Sequence, residues 1–325
     1  MNKNLIALAG AVGAIAAAGG LMMAGILPNP FITSSSDFME KAFSNTANAK
    51  TVKNEFQINV AVTGIPVTEN PSSQLEEPVE VINGKLEGAS QADQTDKASP
   101  KAQVNFSIDA GTEGFGVSGS GEVRVVNKIT YIKFNSLPIF FEMAGLKGQW
   151  LKIDPEEIKK QLKTKESATT PTFSQEQYLQ MAEELKNIVF NKGLFQVKKS
   201  LGTEKIKDQS SQHYLVALSK EAVKKLLPDL LQMFKKYMTP QEQEDFDKQL
   251  ATTTESLPRA IDALWQKTGE ITFDVWLADE KIKQIKIEKT LDLSEYPEVQ
   301  KSIKQAKLDF MLNIIYLDYD KPIII

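Results

Sequence analysis

One histidine, His213 in "SQHYLVAL", is the only side chain of this 325-residue sequence suited by its ordinary pKa to move protons near neutral pH. Nothing at a recognisable spacing pairs with it: a Ser–His couple can be drawn on paper, but no residue pattern locates its serine. His213 therefore reads as a strand residue. The absence of cysteine excludes disulfides, thiolate nucleophiles and Cys metal sites, and one histidine excludes a multi-histidine zinc site. Glu242, Glu244, Asp245 and Asp247 fall on one helical stretch without a fixed partner, which is the pattern of a solvated face. "GVSGSGE" (Gly116 to Glu122) is glycine-rich, yet a phosphate loop needs a helix behind it, so the stretch reads as a flexible strand pair. "DYDKP" is too sparse for a calcium loop. No G-x-S-x-G elbow, Walker loop or H-E-x-x-H occurs. These residues predict no enzyme, no cofactor and no metal.

What the sequence does offer is apolar surface at helical and strand spacing. In "SKEAVKKLLPDLLQMFKKYM", Ala222, Val223, Leu226, Leu227, Leu230, Phe234 and Tyr237 form a broad apolar face with lysines opposite, and Pro228 predicts a kink. A preceding helix, started by Ser174 and Gln177, puts Tyr178, Met181, Leu185 and Ile188 on one face. Read bare, both faces belong to a packed core; a cavity would use the same residues, left incompletely filled.

Around these helices the period is two. Phe56, Ile58, Val60 and Val62 alternate with polar or small residues in "VKNEFQINVAVTG", and similar alternation marks "VEVINGKLEG", "AQVNFSIDA", "GFGVSGSGEVRVV", "KITYIKF" and "QWLKI". Strands return in "GLFQVKKSLG" and "SQHYLVALS". Three more close the chain, "GEITFDVWLAD", "KIKQIKIEKT" and "KLDFMLNIIYLDY", the first two joined by a hairpin at "ADEK". Helix starts are read at Ser36 or Asp37, at Asp154-Pro155-Glu156-Glu157 and at Thr239-Pro240-Gln241-Glu242, with Gly269 as a C-cap. The polar segments between Pro66 and Pro100 read as solvated loops around one strand. A sheet of this size must twist and curl, and the amphipathic helices would cover its concave face, an α+β architecture. Trp150 and Trp276 both read as structural. Trp276 points away from the face of Ile271, Phe273, Val275 and Leu277.

Residues 5–27, "LIALAGAVGAIAAAGGLMMAGIL", carry no charge and suffice to cross a bilayer. Lys3 precedes them and the next cation is Lys41, which places the N-terminus inside and the body outside. A signal anchor and a cleaved signal peptide, cut near "AIAAAGG", both fit; the body is exported in either case, at the cell membrane if anchored and secreted or periplasmic if cut. The net charge of −4, with 38 Lys and Arg spread along the chain, predicts no nucleic-acid partner.

The order of "ITYIKF…GQWLKIDPEEI", "LGTEKIKDQSSQHYLVALSKEAV", "FDVWLADEKIKQIKIE" and "IIYLDYDKPI" resembles the LolA-like superfamily of exported lipoprotein carriers and LppX/LprG-type lipid-binding lipoproteins. The family's acylated cysteine is absent here. The resemblance implies a half-barrel with helices over its concave face. It divides the chain into a membrane or signal segment (1–27), a linker (28–37) and one exported domain (38–325) with an insertion at about 66–100. It implies a membrane-tethered binding or transfer protein of the bacterial envelope. A lipid, lipoprotein or other apolar ligand would lie between sheet and helices, against Leu226, Leu227, Leu230, Phe234, Tyr237, Tyr178, Met181 and Leu185. Its partners would be the acyl ligand, the membrane through residues 5–27 and an envelope protein. The competing expectations are a structural or protein-interaction domain with a filled core, and a hydrolase whose site the sequence does not reveal.

Overall fold

The computed structural model describes residues 37–66, 79–96, 99–112, 115–137, 145–154, 157, 180, 181, 184, 194–236, 238, 243, 244, 246, 247, 258, 259, 261, 262, 265, 266, 268–294, 299 and 303–325. Along the chain run α1 (Asp37–Ala47), β1 (Thr51–Pro66), β2 (Val79–Asp93), β3 (Lys101–Thr112), β4 (Phe115–Val126), β5 (Ile129–Ser136) and β6 (Trp150–Ile153). They are followed by β7 (Phe195–Ile206), β8 (Gln209–Leu218), α2 (Lys220–Lys236), β9 (Thr272–Ala278), β10 (Lys281–Asp292) and β11 (Ile303–Tyr319). The fold is α+β with antiparallel strand pairing, the class the alternation predicts. By its contacts the chain divides into two compact units. The first holds Ala49–Ile153 and Lys283–Ile325, the second Leu27–Asn48 and Asp154–Ile282.

In the first unit the strands lie in the order β6-β5-β4-β3-β2-β1-β11-β10. Register keeps the two faces distinct across all of them. One row runs Ile314, Phe56, Gly88, Phe106, Gly121, Phe134; the next runs Leu312, Ile58, Leu86, Ile108, Gly119. The opposite face carries Gln57, Glu87, Asn105, Glu122 and Lys133. Two of the glycines are required. A Cβ on Gly88 would lie 2.8 Å from the Phe56 ring, and one on Gly121 would lie 2.9 Å from the Phe106 ring. The two aromatic rings thus lie over bare backbone on the neighbouring strand, an aromatic cover for a strand glycine. Val62, Val81, Ile82, Ile303 and Ala306 form the buried cluster at one end, with Leu293 and Leu308 against it. Each fully buried side chain of this kind contributes about 1.5–3 kcal/mol.

Two segments differ from the sequence reading. β2 continues through Ala89, Ser90, Gln91, Ala92 and Asp93, which composition places in a loop, because β3 supplies a partner at every position to Lys101. "GVSGSGE" lies within one strand, β4, rather than a strand pair.

The second unit pairs β7, β8 and β9 in that order. Its apolar face is closed by α1. Phe38 meets Tyr214 at 5.0 Å between ring centroids, and Phe43 stacks on Phe195, which meets Phe273 edge-on at 5.1 Å. Ser219 caps α2 by accepting the Ala222 N–H at 3.2 Å. The helix continues through Pro228 to Lys236. Gly269 is the C-cap its sequence suggests: φ is +66° and its N–H reaches the Trp265 carbonyl at 2.9 Å. The "ADEK" hairpin is a two-residue turn with Asp279 and Glu280 both at positive φ.

The apolar run 5–27, the helix start at 239–242 and most of the helix expected after Ser174 fall outside the described residues. Among the described residues no helix is long and apolar enough to cross a membrane.

Candidate ligand-binding surface

The apolar face of the first unit is buried at its centre and opens toward β3 and β4. Phe56 and Ile58 are about 4% and 3% exposed, whereas Ile108 is 36% and Phe115 53% exposed. Leu86, Phe106, Val123, Ile132 and Phe134 are half-buried. Gly119 lies opposite Ile108 and a Cβ there would meet nothing closer than 3.4 Å, so the surface dips beside an exposed isoleucine. Ile108, Phe106 and Phe134 beside Gly119 thus make a half-buried to exposed apolar surface, the candidate contact for an apolar ligand.

The helical residues that the sequence marks as cavity lining are only partly placed. Leu226 is buried, and with Ala222 and Met233 it forms the inward stripe of α2. Leu227 and Leu230 are half-buried on the same helix, and Met181 is helical and half-buried. Tyr178, Leu185 and Tyr237, and the side chain of Phe234, lie outside the described residues. A cleft of about 510 Å³ in the second unit is lined by other residues, among them Gln196, Lys220, Asp262, Trp265 and Glu270. Asp262 there pairs with Lys224 at 2.6 Å and Lys220 at 3.1 Å, and those ammonium groups, Lys224 first, hold its carboxyl below the usual range.

His213 is far from unpartnered, and here the structure corrects the sequence. Its Nδ1 lies 3.0 Å from Glu204 Oε1 and its Nε2 lies 2.8 Å from Asp274 Oδ1. The ring is stacked on Trp276, whose Nε1–H donates to Glu204 Oε2 at 2.9 Å. The indole N–H first, then the imidazole, holds the Glu204 carboxyl below its ordinary value. Register explains the omission. Trp276 is directly opposite His213, but Glu204 and Asp274 are diagonal neighbours on the flanking strands, which sequence spacing does not reveal. Both ring nitrogens are committed to carboxylates, so neither is left to take a proton from a serine. The nearby Ser211 hydroxyl donates to the Gln209 carbonyl at 3.3 Å. The arrangement is a three-strand clamp. It confirms that Trp276 faces away from the apolar side and is buried.

Trp150 is a strand residue, as its sequence suggests, but an exposed one. It stands on the terminal strand β6, 41% exposed, with Arg124 at 5.0 Å and Lys133 at 5.9 Å over its ring. A four-residue strand with one neighbour cannot enclose an indole.

No family model matches the chain, and no curated protein matches it. Among solved structures it is similar to LprF from Mycobacterium bovis, with 12% identity and a TM-score of 0.36 over 89% of this chain and 93% of that one. It is also similar to the Mycobacterium tuberculosis lipoprotein LppX, with 12% identity and a TM-score of 0.31 over 89% of this chain and 99% of that one.

Proposed function

We propose that the protein is a membrane-tethered extracytoplasmic module that binds or transfers a lipid or another apolar ligand, without catalysis. The observation that carries this reading is the apolar surface of Ile108, Phe106 and Phe134 beside Gly119, left half-buried or exposed on the first unit's sheet, which we read as a trough for an alkyl chain. An acyl chain leaving water for it would gain about 0.8 kcal/mol per buried CH₂ before ordering costs. Leu226, Leu227, Leu230, Phe234, Tyr237, Tyr178, Met181 and Leu185 are proposed as further contacts for apolar ligand within the second unit. Residues 5–27 would supply the tether.

Native mass spectrometry of the chain from Pro28 onward, purified without detergent and followed by solvent extraction, tests the reading. A stoichiometric lipid adduct, lost in Ile108→Asp, is expected. A clean apo mass with no uptake of added lipid or apolar dye would sink it and leave an interaction domain with a filled core.

A further inference from the structure

The polar face of β4, β5 and β6 gathers cations around an exposed indole. Register sets Arg124, Tyr131 and Lys152 in one row, and Glu122, Lys133 and Trp150 in the next. Glu122 is the acid within these two rows. It accepts from Gln103 at 2.7 Å and from Arg124 Nε at 2.5 Å, while Gln103 in turn accepts from Gln91 at 2.9 Å. This ladder of polar side chains across β2, β3 and β4 fixes the guanidinium over the Trp150 ring. On the reverse of the same short strand Ile153 is 38% exposed, so the edge presents an apolar side chain on each face.

We infer that the β4–β6 edge docks on the surface of an anionic lipid bilayer, Trp150 lying at headgroup depth with Arg124, Lys133 and Lys152 against the phosphates. Three features favour a membrane over a soluble acidic partner. Tryptophan beside lysine and arginine is the side-chain set of an interfacial anchor. Cations stand over the ring, which disfavours flat stacking of an aromatic ligand and leaves the indole to enter edge-first. A body tethered through residues 5–27 would also meet the bilayer at high local concentration. That last point rests on the tethering reading; the contact itself does not depend on the trough holding cargo.

The test uses the full chain in nanodiscs carrying brominated acyl chains, read by tryptophan fluorescence. The contribution of Trp150 is isolated by subtracting the Trp150→Phe variant, which leaves Trp265 and Trp276. Brominated phosphatidylglycerol at low salt is expected to quench Trp150, brominated phosphatidylcholine is not, and about 0.5 M salt should reverse the effect. Lys133→Gln and Lys152→Gln, which keep the reporter, should each weaken docking about fivefold. Equal quenching by both lipids, no quenching in the unaltered protein, or quenching insensitive to the two lysine changes would overturn the proposal. So would protection of Trp150 by soluble polyglutamate with nanodiscs left unquenched, which would assign the patch to an acidic protein. Lipid retention in the mass-spectrometric test would be unchanged by loss of docking, so failures of the two readings are distinguishable.

Discussion

The imidazole of His213 lies on the indole of Trp276 with ring centroids 4.1 Å apart and planes inclined by 15°. Glu204 joins the two from the neighbouring strand, accepting from the indole N–H through one oxygen and meeting the imidazole with the other. With a proton on each nitrogen the ring donates to both carboxylates; with one proton it can donate to only one of them. Three strands are thereby linked through one side chain.

The depressed Glu204 carboxyl makes stability depend on pH in a defined sense. Its folded pKa lies below the ordinary value of 4.5, so the unfolded chain takes up the proton first as pH falls. The contribution is present above that value and is lost as pH drops through the folded pKa. Melting curves between pH 6 and 3 should show this loss, and Glu204→Gln should flatten the part of the slope below about pH 4.5. An unchanged slope in the variant would dissociate Glu204 from acid sensitivity.

The ring-over-glycine contacts predict opposite outcomes for two similar substitutions. Gly121→Ala places a methyl group 2.7 Å from the Lys133 carbonyl oxygen as well as against the Phe106 ring, and should cost about 1–3 kcal/mol in urea titrations. Gly119→Ala meets nothing closer than 3.4 Å and should change stability by less than about 0.5 kcal/mol, while filling the trough. Equal effects would mean that the strands adjust and the rings do not require glycine.

Ser219→Ala removes the cap of α2 and leaves the Ala222 N–H without its hydroxyl acceptor. A loss of about 1 kcal/mol is expected by thermal or urea denaturation, with Ser219→Asp retaining stability. Equal destabilisation by Asp would point to packing of the buried serine rather than to capping.

Ile108→Asp tests the trough without disturbing the core, because the side chain is 36% exposed. Apparent affinity for a fluorescent apolar probe should fall by about tenfold, equivalent to about 1.4 kcal/mol, with the midpoint of unfolding nearly unchanged. Undiminished binding would move the ligand away from the first unit and toward the leucines of α2.

The strands were legible because apolar and polar residues alternate strictly: Phe56, Ile58, Val60 and Val62 do lie on one face, and Asp279–Glu280 does form the hairpin turn. β2 was legible only as far as Gly88. Beyond it Ser90 and Ala92 are too small or polar to show a face, although Ser90 donates to the buried Asn54 at 2.9 Å. The clamp at His213 was hidden because it depends on the register of β7 with β8, which shifts twice between Val197 and Gly202. The exposure of Trp150 was hidden because sequence does not say that β6 is the last strand of its sheet.

β1 and β11 are neighbours over almost their whole lengths, with Val52 opposite Tyr319 and Ile65 opposite Lys304. The centre of the first unit's sheet is thus made from strands at opposite ends of the described chain, so its hydrophobic rows stay incomplete until the last strand has been synthesised. Such non-local pairing is slow to form and leaves a long strand edge waiting. The β7–β8 hairpin needs no such delay, since its two strands are joined by a short turn. Pairing with β11 is therefore what completes the first unit's sheet, and β1 is the edge most in need of protection until then.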